Sequence, residues 1–206
     1  MAVKLTIHPE HPQTRHVSRV ATDLQSGHLI IYPTDTNYGL GCDIFNKKTI
    51  DRIYNVKRES AKKPLSFVCA DLTDLALYAR NISNAHYRLM KRLLPGPYTF
   101  ILEASREVPK FMMSKRKTVG IRVPNNEICL AIVRELGRPI VSTSVSDRSG
   151  EALNDPIDIE GIYGKNVDTI VDGGVLISEP STIVDLTGDD PIILREGKGM
   201  DALAGA

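Results

Sequence analysis

HLIIYPTDTNYGLGCD, His28 to Asp43, decides the reading of this 206-residue chain. Leu29 to Tyr32 are apolar, β-branched or aromatic with no polar interruption, the pattern of a buried strand. Pro33 has no N–H to donate and ends the ladder. Thr34, Asp35 and Thr36 then put two hydroxyls and a carboxylate in a row, and Gly39 and Gly41 flank Leu40. Glycines let a backbone pass close to another group, and a strand that ends in small polar residues is the usual ligand position in an open α/β sheet. The spacing predicts a ligand-cradling loop here, against the plainer alternative of a strand-to-helix connection.

Composition bounds the rest. A chain of 206 residues, 42% hydrophobic and 25% charged, suits one globular domain spanning residues 1–206. No apolar run approaches bilayer length, and the first residues lack the long apolar core of a signal peptide. Cys42, Cys69 and Cys129 are odd in number and widely spaced, as expected of buried thiols in a reducing cytoplasm. His8, His11 and His16 have no carboxylate or cysteine pattern around them, so no metal site is expected there. The net charge of +1 hides a segregation: Lys47 to Arg122 holds 17 Lys and Arg against 6 Asp and Glu, and the remainder holds 9 against 19. A basic middle segment points to an anionic partner, the alternative being a set of solvated helix faces.

Elsewhere the chain alternates between the two periods. Apolar residues at helical spacing predict helices over Thr14–Ser26, Lys47–Val56, Asp71–Ala79, Asn84–Leu94 and Asn126–Leu136. Asp155-Pro156 reads as an N-cap followed by proline at the first helical position. Strands are expected at Lys4–Ile7, Leu65–Cys69, Tyr98–Leu102, Val119–Val123, Pro139–Thr143, Thr169–Val171, Thr182–Leu186 and Ile192–Leu194. The fold class is therefore α/β, a twisted mixed sheet flanked by helices. Arg122 falls within an apolar strand, where a guanidinium needs a partner: an internal carboxylate or a ligand. Lys57, Arg58, Lys62 and Lys63 crowd one loop that suits phosphate. Neither a Walker motif nor GxGxxG occurs, and no nucleophile–base pair stands out, so nucleotide binding must rest on scattered cations and hydroxyls.

These motifs carry a resemblance. YPTDTNYGLGCD is similar to the PTET-YGLG opening of the YrdC-like family, the threonylcarbamoyl-AMP synthases. Lys63-Pro64-Leu65, Pro95 to Thr99, Val119 to Pro124, Val141 to Ser144, Ser181 to Leu186 and Leu194 to Gly197 match in order, over nearly the whole chain. The resemblance implies an ATP-dependent nucleotidyltransferase that joins L-threonine, bicarbonate and ATP into threonylcarbamoyl-AMP and pyrophosphate, with Mg2+ as helper, feeding a tRNA modification. It implies catalytic roles for Lys57, Arg58, Ser144 and Arg195, and substrate contacts from Thr34, Thr36, Thr118, Arg122, Ser142 and Ser181. Three departures stand against full activity. Glu59 occupies the position of a phosphate-binding arginine, Val68 that of a histidine, and Ser146 that of an asparagine. They place the chain nearer the YciO branch and imply weak or altered catalysis. The other expectation is a nucleotide-binding or double-stranded RNA or tRNA-binding protein without efficient catalysis, using Lys91, Arg92, Lys115 and Lys117.

Overall fold

The computed structural model describes residues 1–58, 64–112 and 116–204. Chain order is β1 (Val3–Thr6), α1 (Thr14–Gln25), β2 (Ile30–Tyr32), β3 (Gly39–Asp43), α2 (Lys47–Lys57), β4 (Ser66–Val68), α3 (Thr73–Tyr78), β5 (Ala79–Arg80) and α4 (Asn84–Leu93). It continues with β6 (Tyr98–Ala104), a 3-10 turn at Lys110–Met112, β7 (Thr118–Arg122), α5 (Glu127–Leu136), β8 (Ile140–Ser144) and α6 (Pro156–Tyr163). Last come β9 (Thr169–Asp172), β10 (Thr182–Asp185), β11 (Ile192–Arg195) and α7 (Met200–Ala204). All the strands join one mixed sheet in the order β1-β9-β2-β3-β8-β4-β7-β6-β10-β11, with β5 added beside β6.

The expected elements are present with shifted ends. Asp155 caps α6 by accepting from Ile157 N at 2.8 Å, with Pro156 in the first turn. Asn126 caps α5 through Cys129 N at 3.0 Å, and Gly137 closes that helix in the left-handed conformation, φ 73°. Three elements were not expected: β3, β5 and α7. Gly39–Asp43 is not a loop but the strand β3, paired antiparallel with β2 on one side and β8 on the other. The two glycines make room for an aromatic ring. A Cβ at Gly39 would lie 2.9 Å from the Ser142 hydroxyl and 3.1 Å from the Tyr32 ring, and one at Gly41 would lie 2.8 Å from the Val141 carbonyl. Tyr32 lies against both glycines, and its hydroxyl donates to Ser142 Oγ at 2.8 Å.

Strand alternation divides the sheet into two unequal faces. Leu40, Phe67, Phe100, Ile121, Val141 and Val184 point to the face with the larger core, where Ile50, Ile53, Leu75, Met90 and Ile159 of the helices meet them. Ile30, Tyr32, Val68, Ile140 and Val171 point to the other face and pack on α1 and α5 through Val17, Val20, Leu24, Ile132 and Val133. Registers place Ser66 beside Ser142, Phe100 beside Ile121 and Ile183 beside Thr99. Ser66, Thr99, Arg122, Ser142 and Ile183 therefore share the α1/α5 face, over β4, β7, β6 and β10. There the small and polar side chains leave a concavity.

The three cysteines are free and buried, and burial pushes the thiols of Cys42 and Cys129 far above the usual range. Among the described residues no helix is long and apolar enough to cross a membrane.

Candidate functional site

The concavity is a cavity of about 400 Å³. Its floor is the polar side of the sheet, with Ser66, Thr99, Arg122, Ser142 and Ser144, and its rim includes Thr34, Asn37, Lys57, Ser146, Ser181 and Arg195. Among the described residues the lining includes three cations, many hydroxyls and no carboxylate.

Of the residues singled out from sequence, the cavity gathers Lys57, Ser144, Arg195, Thr34, Arg122, Ser142 and Ser181. Thr36 is one bond removed: it is buried, and its hydroxyl accepts from Arg122 Nη2 at 2.9 Å. Arg58 is not at the cavity. It closes α2 in a left-handed conformation, φ 52°, with its side chain exposed. Thr118 begins β7 opposite Glu103, four residues and about 13 Å of strand from Arg122, and it does not line the cavity. Glu59, Lys62, Lys63 and Lys115 lie outside the described residues.

The alternatives for Arg122 resolve toward an internal carboxylate. Its Nη2 donates to Asp35 Oδ1 at 3.0 Å, with only 12% and 7% of the two side chains exposed. Asp35 Oδ2 accepts from Asn125 N at 2.9 Å. Arg122 still borders the cavity, and its Nε is buried without a partner. Such an orphan donor marks a place for an acceptor. Thr34 braces the same loop by donating to the Asn37 carbonyl at 2.6 Å and accepting from Thr36 N at 3.2 Å.

Arg195 is held by neutral groups alone. Nη2 donates to the Ser181 carbonyl at 2.7 Å and to Ser181 Oγ at 2.9 Å, and Ser181 Oγ lies 2.9 Å from Thr99 Oγ1. Burial lowers its proton affinity from the ordinary arginine value, and the nearby Arg122 charge lowers it further. Across the cavity Lys57 Nζ donates to Ser146 Oγ. The serine that replaces the family's asparagine thus engages a lysine.

Val68 does not face the cavity. It is buried in the second core with Tyr32 and Ile140, two residues along β4 from Ser66. Of the basic residues proposed for nucleic acid, Lys91, Arg92 and Lys117 are described. Lys91 and Arg92 lie in the last turn of α4, next to the Gly96 N–H bond to Val123 O at the end of β7. Lys117 precedes β7, bonded through its carbonyl to Ala104 N. About 20 Å of strand separates the two ends.

Sequence reasoning missed Asp35 as the partner of Arg122, and missed Ser66, Thr99 and Lys198. The signal for Ser66 and Thr99 is present: each is a hydroxyl within an apolar strand, in Ser-Phe-Val and Tyr-Thr-Phe. Lys198 donates to the Asp35 carbonyl at 2.7 Å, across 163 residues, and nothing local announces that contact.

Comparison with known proteins places this geometry. The chain is 45% identical over 199 residues to an uncharacterised protein of Haemophilus influenzae, covering 95% of this chain and 96% of that one. It is 40% identical to the uncharacterised protein YciO of Escherichia coli over 94% of each chain. The crystal structure of E. coli YciO superposes with a TM-score of 0.92, covering 97% of both chains. Pyrococcus abyssi Sua5 complexed with L-threonine superposes with a TM-score of 0.91 at 28% identity, and this chain spans 61% of its length. The threonylcarbamoyl-AMP synthase of P. abyssi is 34% identical over 176 residues, 52% of its length. A family model described as "Telomere recombination" matches residues 22–197, and with these relatives it shows that the chain belongs to the Sua5/YciO/YrdC family.

Proposed function

We propose that this chain activates an amino-acid carbamate with ATP, forming threonylcarbamoyl-AMP from L-threonine, bicarbonate and ATP, at a reduced rate. The observation that carries this reading is the cavity lining: Lys57, Arg122 and Arg195 among hydroxyls, with no Asp or Glu among the described lining residues. A pocket that presents Lys57, Arg195 and the partnerless Nε of Arg122 favours a polyanion. The chemistry asks for positioning and charge neutralisation rather than a protein nucleophile. Threonine amine and bicarbonate give a carbamate and water. A carbamate oxygen attacks the α-phosphorus, and the bond to the β-phosphate oxygen breaks, so pyrophosphate leaves with the electron pair. Lys57 and Arg195 steady the phosphates and Ser144 orients them. Arg122 and Ser181 hold the amino acid, with Thr36 steadying Arg122 and with Thr34 and Ser142 bracing that end. The product is of the kind that supplies tRNA threonylcarbamoyladenosine modification.

A magnesium ion held by the protein does not fit this donor set. Among the described residues the lining has no carboxylate, and no group of three or more His, Cys, Asp or Glu side chains converges. Neutralising the phosphate charge therefore falls to Lys57 and Arg195. The reduced rate follows from Glu59, the residue standing where the resemblance puts a phosphate-binding arginine.

The test is the product. Incubated with ATP, threonine and bicarbonate, the protein is expected to release threonylcarbamoyl-AMP slowly, identified by its mass and absent when threonine is withheld. ATP consumption that is indifferent to threonine and to every other amino acid would overturn the reading.

A further inference from the structure

Arg122 and Arg195 are like charges at one cavity, and each is bonded to protein before any ligand arrives. Two guanidiniums in one pocket repel, so their separation has to be imposed by the structure around them. A continuous bonded path connects them. Arg195 donates to the Ser181 carbonyl from Nε at 3.0 Å and from Nη2 at 2.7 Å. Ser181 is bridged to Lys198 through the backbone, Lys198 N donates to the Pro180 carbonyl at 2.9 Å, and the Thr182 hydroxyl donates to the Lys198 carbonyl at 2.9 Å. The Lys198 ammonium then crosses to the loop after β2 and donates to the Asp35 carbonyl at 2.7 Å. The Asp35 carboxylate completes the path by accepting from Arg122.

The neighbours of Lys198 hold its backbone in one place. A Cβ on Gly197 would lie 2.3 Å from the Pro180 carbonyl. One on Gly199 would lie 2.5 Å from the Tyr98 hydroxyl, at a residue with φ +90°. The Tyr98 hydroxyl in turn donates to the Gly199 carbonyl at 2.7 Å. Lys198 is thus the one side chain in a three-residue segment pressed against the strand end that carries Ser181.

We propose that Lys198 is a positioning residue that ties the Asp35 loop to the Ser181 strand end and so sets the spacing of Arg122 and Arg195 for an anionic ligand. The identity of that ligand, with Arg195 at its phosphates and Arg122 at its amino-acid carboxylate, rests on the proposed function; the tie itself does not.

The experiment uses inorganic pyrophosphate as the probe, in calorimetric titrations of the parent, Lys198→Met and Lys198→Arg, together with the Nε–H NMR signals of the two arginines without ligand. Lys198→Met is expected to shift both arginine signals and to weaken pyrophosphate binding about ten- to a hundredfold, the scale of a small misplacement of binding groups. Lys198→Arg, which keeps a cation long enough to reach Asp35, should restore most of the affinity. Thermal unfolding confirms that each variant is folded. Weakened binding with unmoved arginine signals would mean that Lys198 acts only as a charge, and would overturn the proposal, as would unchanged binding. A parent that does not bind pyrophosphate would overturn the phosphate reading instead, leaving the arginine signals to decide the tie.

Discussion

Replacing Arg122 by methionine is expected to lower the unfolding free energy by about 3–5 kcal/mol, because it strands a buried carboxylate. Asp35 has 7% of its side chain exposed, and among the described residues Arg122 is the one cation to which its carboxylate is bonded. The Asn125 N–H remains, but one neutral donor does not replace a guanidinium. Asp35→Asn in the Arg122→Met background removes the stranded charge and should recover much of the loss. Urea unfolding of the two variants and the parent checks both statements. If Arg122→Met unfolds at the parent's urea concentration, the Arg122–Asp35 pair is not what holds the loop after β2 against β7.

The largest effect on activity is expected at the phosphate grip. A charge contact made in the transition state is worth about 2.7–4 kcal/mol, a hundred- to a thousandfold in rate. Lys57→Met should therefore lower turnover by about that factor, and Glu59→Arg should raise it within the same range if the arginine reaches the phosphates. Lys57 lies at the end of α2, on the cavity rim beside Ser146, so its loss leaves the core packing intact. Turnover of both variants under saturating ATP and threonine is the measurement. A folded Glu59→Arg variant no faster than the parent would show that residue 59 does not reach the phosphates.

Which parts of this molecule were legible in sequence follows from what is local. The helices were, because Val17, Val20, Ala21 and Leu24, or Ile132, Val133 and Leu136, declare a face by spacing alone. Asp155-Pro156 declared a helix start by capping chemistry. Strand β3 was not legible, because Gly39 and Gly41 have no side chains to alternate. Their reason for being glycine is a Tyr32 ring on the next strand. The cavity residues were legible as polar residues at strand ends, and the sheet order brought them together. Their pairing was not: Asp35 and Arg122 are 87 positions apart, and Lys198 reaches Asp35 across 163. Charge counting reads only the order along the chain. A surplus along the chain says nothing of direction, and β7 carries Lys117 to the end away from Lys91 and Arg92.

The account stands on the cavity being a nucleotide site, and calorimetric titration of ATP into the parent and into Arg195→Met tests that most directly. Among the described residues Arg195 is held only by Ser181, and it borders the cavity, so its charge is available to an anion. The expected result is saturable binding at one site in the parent, weakened about tenfold or more in Arg195→Met, as for loss of a charged hydrogen bond worth about 1.5–3 kcal/mol. No heat of binding in the parent, or equal affinity in the variant, would contradict it.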